Sequence, residues 1–327
     1  ITSVCNNGTN LSVSTDIDGN SRGSSPDIGA DENSSSPAKD VSVQTIVSPG
    51  YPLSTGAKTV VARIKNLGSN SISSLTVYYK HNSNAVVSQT FSFSPALNQC
   101  DTISVTFSTQ ATMINGSNTL KVYTALSGDA VASNDTAQFT LCPTLAGTYT
   151  IHPTTGDYTS FSAAVSALTC GGITGPVTFN VSANSYSEQI SIGTITGSSS
   201  TNTVSFVGAG SSSTTLTFAT TNTNPHVVRM NGSSYVNFSN MAIKSSGTSD
   251  GWIVNFIDAQ NCKVSNCLIE FSNSTAQSST GSNLACIVVN GSTTTMSTAS
   301  SGSDNIFIDT CNINYGYYNV YLSVNNS

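Results

Sequence analysis

The sequence predicts an all-β protein in which an immunoglobulin-like β-sandwich is followed by a parallel β-helix. Three observations predict this fold class: a composition that favours strands and turns, seven short runs of alternating apolar and polar residues, and a repeat in the C-terminal half. Only 8% of the 327 residues are charged, against about 25% in a typical soluble domain. Ser, Thr, Asn and Gly take much of their place, and these residue types favour strands (Thr) or turns.

The charge balance argues against two kinds of function. The net charge is −6, the sequence pI is about 4.8, and no block of Lys or Arg is present to attract a nucleic-acid backbone. No apolar run reaches the roughly 18 residues that indicate a membrane-spanning helix. We therefore expect no nucleic-acid partner and no membrane-spanning segment. We also expect an extracellular or cell-surface location, where hydroxyl-rich surfaces of this kind are common.

Residues 1–36 form a first segment, and the Ser-rich residues 33–38 have the composition of a linker. Asp16, Asp18 and Asn20 could ligate Ca²⁺ through their oxygen atoms. The spacing of an EF-hand is absent, however, because the glycine at position 19 comes too early. A turn held by Asx hydrogen bonds is the simpler interpretation, and we expect no metal.

The pattern of residues 37–143 predicts the sandwich. Apolar residues alternate with polar ones in seven runs that turn-like stretches separate, and seven strands in about 100 residues are typical of an immunoglobulin-like sandwich. The chain's single Trp, Trp252, lies elsewhere, which excludes an antibody-type domain. The runs are Val41/Val43, Val60/Ala62/Ile64, Leu75/Val77/Tyr79, Phe91/Phe93, Ile103/Val105/Phe107, Leu120/Val122 and Phe139/Leu141.

A repeat in residues 144–327 predicts the β-helix. One apolar stretch occurs in three copies, and a second strand-like run precedes each copy. Coils of this length cannot bury their apolar faces alone, so stacking supplies the core. The offset between copies grows from 26 to 44 residues, which we assign to an inserted Ser/Thr-rich loop at about residues 291–303. The three aligned copies are residues 236–243, 262–269 and 306–313.

Two further features belong to the predicted β-helix. Met241, Cys267 and Cys311 occupy the same place in the three copies, so we expect them to stack as an inward ladder. Residues 161–168 have apolar residues at helical spacing. This spacing predicts a short helix that caps the open end of the solenoid.

Several of these stretches resemble large secreted adhesins that bacteria export by the type IX secretion system, a group that includes gliding-motility adhesins. Residues 146–151, 157–168, 175–181 and 186–190 are similar to the opening of the right-handed β-helix domains of those proteins. Residues 39–142 resemble their cell-adhesion-related sandwich modules. The resemblance thus implies a repeating array of β-helix and sandwich domains.

The same resemblance bears on the two ends of the chain. The stretches 16–20 and 26–32 are similar to the closing segment of such a β-helix, so we expect residues 1–36 to be the end of a preceding β-helix-like domain plus a linker. A rival interpretation makes this segment a separate cap. Since the last residues follow directly on the strand-like run 319–324, we expect the second β-helix to be incomplete at its C-terminal end.

The acids of the repeats are the candidate catalytic residues, because polysaccharide-cleaving β-helices need paired carboxylates. Glu188 is either a catalytic acid or a structural contact at the end of a coil. In the aligned copies Glu270 lies beside a lysine and an asparagine, and Asp309 lies beside a serine, so no two carboxylates stack on adjacent coils. We therefore expect no catalytic residue. The other acids considered are Asp258 and Asp304.

The eight cysteines contain no CxxC pair, which argues against a zinc site. Cys100 and Cys142 are candidates for a disulfide that staples the sandwich. Cys267 and Cys311 are candidates for a disulfide between coils, and the alternative for them is a ladder of buried thiols. Thr102 and Thr136 follow an Asp, as in the O-glycosylation sequences of bacteria of this kind, and the alternative for them is ordinary strand edges.

The expected function is structural: a non-catalytic segment of a large repetitive extracellular surface protein, acting in adhesion or as a stalk, without a cofactor. Its partners would be neighbouring repeats of the same protein, together with surface glycans or other surfaces. One alternative is a subunit of an extracellular filament. Another is a carbohydrate-active lyase or hydrolase, which would require a carboxylate cluster or a cation on one face of the solenoid.

Overall fold

The computed structural model describes residues 12–19, 21–22, 37–247, 250–272 and 283–325. The chain divides into two compact units, Ile1–Leu141 and Cys142–Ser327. The regular structure of the described residues is β apart from one α-helix, so the all-β prediction is confirmed. Most of the N-terminal segment, including residues 23–36 and Asn20, lies outside the described residues.

The described part of the first unit contains nine strands, and all of their pairings are antiparallel. Seven of them overlap the seven predicted runs, and β2 and β7 are short additions. The sheet orders are β1-β3-β6, β5-β4-β8-β9 and β2-β7. The strands are β1 (Val41–Ser48), β2 (Gly56–Lys58), β3 (Val61–Asn66), β4 (Ile72–His81), β5 (Val87–Leu97), β6 (Thr102–Thr106), β7 (Ala111–Met113), β8 (Asn118–Thr124) and β9 (Thr136–Leu141).

The core of the first unit is built from the alternation that predicted its strands. Leu120 and Val122 on β8 are fully buried, as are Ala62 and Ile64 on β3, while the residues between them are more exposed. Apolar side chains from the three-stranded and four-stranded sheets belong to one cluster. Burial of one face of each sheet therefore holds this unit together.

The second unit is a parallel β-solenoid of about six coils. Its strands form three parallel sheets, β10-β11-β14-β17-β20-β23, β12-β15-β18-β21-β24 and β13-β16-β19-β22-β25. The elements are β10 (Leu145–Ile151), α1 (Phe161–Gly171), β11 (Ile173–Val181), β12 (Asn184–Ser187), β13 (Ile190–Ile192), β14 (Val204–Gly208), β15 (Thr214–Phe218), β16 (His226–Asn231), β17 (Val236–Ser239), β18 (Ala242–Ser245), β19 (Gly251–Ile257), β20 (Lys263–Ser265), β21 (Leu268–Phe271), β22 (Leu284–Asn290), β23 (Phe307–Asp309), β24 (Asn312–Asn314) and β25 (Tyr318–Leu322).

The predicted alignment of the three repeats is confirmed by the strand register. Asn237 pairs with Lys263, which pairs with Phe307, and the following strands continue in the same register. The position of the insertion needs a correction. The loop at residues 291–303 accounts for only part of the extra length, and the remainder lies between β21 and β22, before Leu284.

Side chains stack in columns inside the solenoid. The rings of Phe179, Phe206 and Phe238 are stacked, with centroids 4.9 and 4.8 Å apart. In the predicted ladder Met241 and Cys267 are buried, whereas Cys311 in the last described coil is half-buried. Repetition of the same inward positions therefore builds a continuous apolar core from coil to coil.

Left-handed residues turn the chain from the first sheet to the second. Asn240 and Asn266 have φ values of 56° and 51°, and Thr310 occupies the same place in the last coil with 53°. Asn tolerates this conformation better than most residues. The Asn266 side-chain amide also donates a hydrogen bond to the Asn240 side-chain oxygen one coil earlier, so these turns are tied together along the solenoid.

Helix α1 packs over the first end of the core and confirms the predicted cap. It begins after Ser160, whose hydroxyl accepts a 3.0 Å hydrogen bond from the Ala163 N–H. Phe161, Ala164 and Leu168 are fully buried in the solenoid core. The helix contacts β10 and β13, each of which is the first strand of its sheet.

The predicted disulfide between Cys100 and Cys142 is wrong. Cys142 is bonded to Cys170 at the end of α1, because the chain after β9 runs against that end of the helix. A Cβ on Gly171 would meet the Pro143 carbonyl oxygen at 2.0 Å, which shows how closely the two segments approach. Cys100 is also disulfide-bonded, with a different partner.

The last described coil presents what we call the open face, formed by Ile308, Val320 and Leu322. These inward-column residues are 36%, 42% and 63% exposed. Their neighbours one coil earlier, Val264, Ile287 and Val289, are 0%, 0% and 4% exposed. The strands of this coil, β23, β24 and β25, are also the edge strands of the three sheets.

Candidate functional site

Carboxylates are the first candidates for chemistry, and all seven in the solenoid accept hydrogen bonds from the fold. Glu188 illustrates this. Its carboxylate accepts bonds from the N–H groups of Phe161 and Ser162, at 3.0 and 2.8 Å, and from the Ser162 hydroxyl at 2.6 Å. It therefore accepts hydrogen bonds from N–H groups at the start of α1 that have no partner within the helix. This is a structural contact, one of the two roles considered for Glu188.

Two further acids form ion pairs between coils, and the alignment predicted the lysine neighbour only for Glu270. Glu270 accepts a 2.7 Å hydrogen bond from Lys244. Asp309 lies 3.0 Å from the Lys263 ammonium group. The hydrogen bonds from Lys263 and Thr310 hold the pKa of Asp309 below its ordinary value, so this carboxylate is poorly suited to donate a proton.

The other acids of the solenoid hold loops. The Asp258 carboxylate accepts bonds from the Ser300 hydroxyl at 2.9 Å and the Gly302 N–H at 3.1 Å, and so holds the end of the 291–303 loop. Asp157 binds Thr150, Asp250 binds Asn283, and Asp304 accepts a bond from Asn305. By strand register Glu270 faces Lys244 and Asn314, and Asp309 faces Ser265.

The candidate calcium ligands form an Asx turn where they are described. The Asp18 N–H donates to the Asp16 carboxylate at 2.9 Å, and the Gly19 N–H donates to the Asp16 carbonyl at 3.2 Å. The third candidate, Asn20, lies outside the described residues. Across the described ranges, no group of three or more His, Cys, Asp and Glu residues is placed to hold a metal.

The candidate cysteine pair Cys267 and Cys311 carries free thiols, as in the ladder alternative. Both thiols donate to backbone carbonyls, that of Cys267 to Ser265 at 3.2 Å and that of Cys311 to Asp309 at 3.4 Å. Their mutual interaction raises the pKa of Cys267 and lowers that of Cys311. Cys262 and Cys286 are buried thiols, and burial raises the pKa of each. The candidate glycosylation residues Thr102 and Thr136 are exposed at the first positions of β6 and β9.

A site that the sequence did not indicate lies on the outer face of the third sheet. Trp252, Ala285 and Val288 alternate with core residues along β19 and β22, and they form a separate apolar cluster with Met296 from the 291–303 loop. Tyr318 and Tyr321 on β25 pack against this cluster. Beside it is a cavity of about 270 Å³, which we call the outer-face cleft, lined by Asn283, Thr294, Thr295, Met296, Ser297, Tyr318 and Tyr321.

A buried polar network fixes the loop that forms one wall of this cleft. The Arg229 guanidinium donates to the Asn255 side-chain oxygen at 3.0 Å and to the Thr293 carbonyl at 2.9 Å. The Asn255 amide donates to the Asn290 side-chain oxygen at 2.9 Å, and the Asn290 amide donates to the Thr295 carbonyl at 3.0 Å. Arg229 therefore helps to hold the loop in place.

A second cavity, of about 320 Å³, lies next to the loop that follows β10. His152 is its only ionisable lining residue, and the His152 Nδ1 accepts hydrogen bonds from the N–H groups of Thr154 and Thr155. That nitrogen is therefore engaged in the local turn. The remaining lining residues are Thr150, Ile151, Thr155, Gly156, Asn180, Val181 and Ser182.

Comparison with known proteins identifies no relative. No family model and no curated protein matches this chain. Among solved structures, it is similar to a pectin methylesterase variant bound to a hexasaccharide, with 9% identity and a TM-score of 0.31 over 45% of this chain and 50% of that one. A second pectin methylesterase–hexasaccharide complex gives 9% identity and a TM-score of 0.33 over 51% and 55% of the two chains.

The catalytic domain of Agl-KA is also similar, with 12% identity and a TM-score of 0.20 over 84% of this chain and 72% of that one. The chain spans about half the length of the two pectin methylesterases. Similarity at this level carries no conclusion about activity or substrate. Within the described ranges, no helix has both the length and the apolar character needed to cross a bilayer.

Proposed function

We propose that this chain is a non-catalytic segment of a large repetitive extracellular surface protein, acting in adhesion or as a structural stalk. The continuous apolar core carries this proposal, because coils that bury their apolar faces only by stacking suit a structural role. Ile308, Val320 and Leu322 continue apolar columns that are buried in the coil before them. Exposed apolar side chains beside edge strands form the kind of surface that a further coil buries.

The engagement of the acids supports the absence of catalysis. Each carboxylate of the solenoid accepts a hydrogen bond from the fold, and Glu188, Asp258 and Glu270 each hold a defined structural element. A glycosidase needs two carboxylates that flank the substrate, one of which must be able to donate a proton. Acids that cap a helix, hold a loop or pair with lysine are committed to other interactions.

The first unit fits the role of a spacer. One of its larger sheets contains β1, β3 and β6, and the other contains β4, β5, β8 and β9. All seven strands overlap the runs that the sequence predicted. Two antiparallel sheets that share one core support the immunoglobulin-like interpretation of residues 37–143. With the sequence resemblance, this extends the proposal to an adhesin of the type IX secretion class, including the gliding-motility adhesins.

A filament subunit is the second candidate, because the open face also fits a second copy of the chain. Helix α1 argues against head-to-tail stacking of coils, since it covers the first end of the core. Coil-to-coil contact between copies would then join two open faces, and a contact of that kind produces pairs rather than a filament.

The experiment that tests the non-catalytic proposal is a degradation assay on neutral and acidic polysaccharides, with and without added Ca²⁺. We expect no reducing ends and no released methanol above the level of a heat-denatured control. Reproducible product formation would overturn the proposal in favour of a carbohydrate-active enzyme.

A further inference from the structure

We propose that the outer-face cleft binds a neutral sugar residue of a glycan. The inference supplies a partner for the proposed function, and it rests on that function only in assigning the cleft to binding rather than to cleavage. It goes beyond the expectation of glycan contact, because it names the place and the chemical class.

The lining of the cleft matches the chemistry of an uncharged sugar. Its residues are two tyrosines, one methionine, one asparagine and three hydroxyl residues, and none of them carries a charge. Aromatic rings pack against the C–H faces of a sugar ring, while hydroxyl and amide groups exchange hydrogen bonds with its hydroxyls. A uronic acid or a phosphate would instead require a cationic partner in the cleft.

The size of the cleft limits the ligand. Pockets for drug-sized molecules have volumes of about 300–1,000 Å³, and the outer-face cleft has about 270 Å³. It therefore holds one ring of a chain rather than several. The rings of Tyr318 and Tyr321 are inclined to each other by 61°, with centroids 5.2 Å apart, so they form two walls and not one flat platform.

The wall opposite these rings is held in place before any ligand arrives. Arg229, Asn255 and Asn290 are buried, and together they bind the carbonyl groups of Thr293 and Thr295. Burying a charged group is costly unless its hydrogen bonds are satisfied. The hydrogen bonds of Arg229 run to Asn255 and to the loop. The hydrogen bonds to the Thr293 and Thr295 carbonyls restrain residues 293–295, and preorganisation of this kind increases the affinity of a binding site.

The only tryptophan of the chain provides a local reporter. Trp252 belongs to the cluster that supports Met296, Tyr318 and Tyr321. Its indole Nε1 is buried, without a hydrogen-bond partner among the described residues. A change in the cleft should therefore alter the tryptophan fluorescence of the protein.

The test is a fluorescence and calorimetric titration of the whole chain with defined hexasaccharides. The neutral probes are cellohexaose, maltohexaose, mannohexaose and xylohexaose, and the charged probe is hexagalacturonate. We expect saturable binding of at least one neutral probe. Tyr321→Ala should weaken this binding about tenfold or more, and Thr294→Val, which removes one hydroxyl at constant shape, should weaken it without affecting folding.

Tyr315→Ala is the matched control, because Tyr315 is an exposed tyrosine of the same coil that does not line the cleft. Binding of only hexagalacturonate, or an equal loss in Tyr315→Ala, would overturn the inference. If no probe binds and all remain intact, the inference fails and the proposed function stands. If a bound neutral probe is cleaved, the cleft assignment stands and the non-catalytic function fails.

Discussion

At the scale of single residues, acidic groups in the solenoid stabilise the fold, and Glu188 does so most clearly. Its carboxylate binds two N–H groups and one hydroxyl at the start of α1. Hydrogen bonds to a charged group contribute more than neutral ones, and a negative charge at a helix N-terminus adds to them.

We predict that Glu188→Ala lowers the free energy of unfolding by about 2 kcal/mol. The measurement is urea unfolding followed by circular dichroism. Asp309→Ala is the control, because its ion pair with Lys263 is exposed and exposed pairs contribute little to stability. Equal effects of the two substitutions would contradict the assigned role of Glu188.

His226 gives a prediction about pH. Burial, with a smaller effect of the nearby Arg229 charge, lowers the pKa of His226 to about 3. An unfolded histidine titrates near pH 6.5, so between these values the unfolded chain binds a proton that the folded chain does not. The free energy of unfolding is therefore highest above about pH 6.5, where His226 is neutral in both states, and it decreases as the pH falls below that value.

The slope for one such group is about 1.4 kcal/mol for each pH unit. Between pH 7 and pH 5 we expect the unfolding free energy of the protein to fall by roughly 2 kcal/mol more than that of the His226→Gln variant. Urea unfolding at the two pH values measures this difference. A parallel decrease in both proteins would mean that His226 is protonated in the fold.

At the scale of elements, the sequence predicted what repeats and missed what does not. Equivalent positions of successive coils, such as residues 238 and 264, carry apolar residues, and this repetition revealed the solenoid. The helix cap at Phe161 was visible because a 3.6-residue spacing interrupts a β-rich pattern. The outer-face cleft was not visible, because its residues come from three separate stretches of chain and contain no motif.

The Arg229 network leads to a prediction about the 291–303 loop. Asn255→Leu removes a group that both accepts from Arg229 and donates to Asn290. We expect faster amide hydrogen exchange at residues 291–303 in the variant, with little change in strands β14 and β17. Gln260→Leu is the control, since its side chain bonds only to the Gly302 carbonyl in this region. Unchanged exchange in the loop would contradict the role assigned to the Arg229 network.

The error in disulfide pairing also belongs to this scale. The predicted sandwich, residues 37–143, contains both Cys100 and Cys142. The partner of Cys142 is instead Cys170, near the end of α1. Pairing depends on the distance between backbones that are remote in sequence, and no periodic signal in the chain reports that distance. The extra residues between β21 and β23 lie in two places, and no periodic signal in the sequence predicted that division.

At the scale of the whole molecule, the proposal depends on what covers the open face. Ile308, Val320 and Leu322 are partly exposed, while the equivalent residues of the coil before them are buried. Such a surface suits contact with a further coil or with a second copy of the chain. A large repetitive protein and a filament subunit also differ in the size of the native polypeptide.

The most direct test is therefore denaturing electrophoresis of the native protein, with peptide mapping of the band. For a large repetitive surface protein we predict a mass many times 33.7 kDa. A native band near 33.7 kDa would contradict it, since the open face would then have to be covered by another molecule.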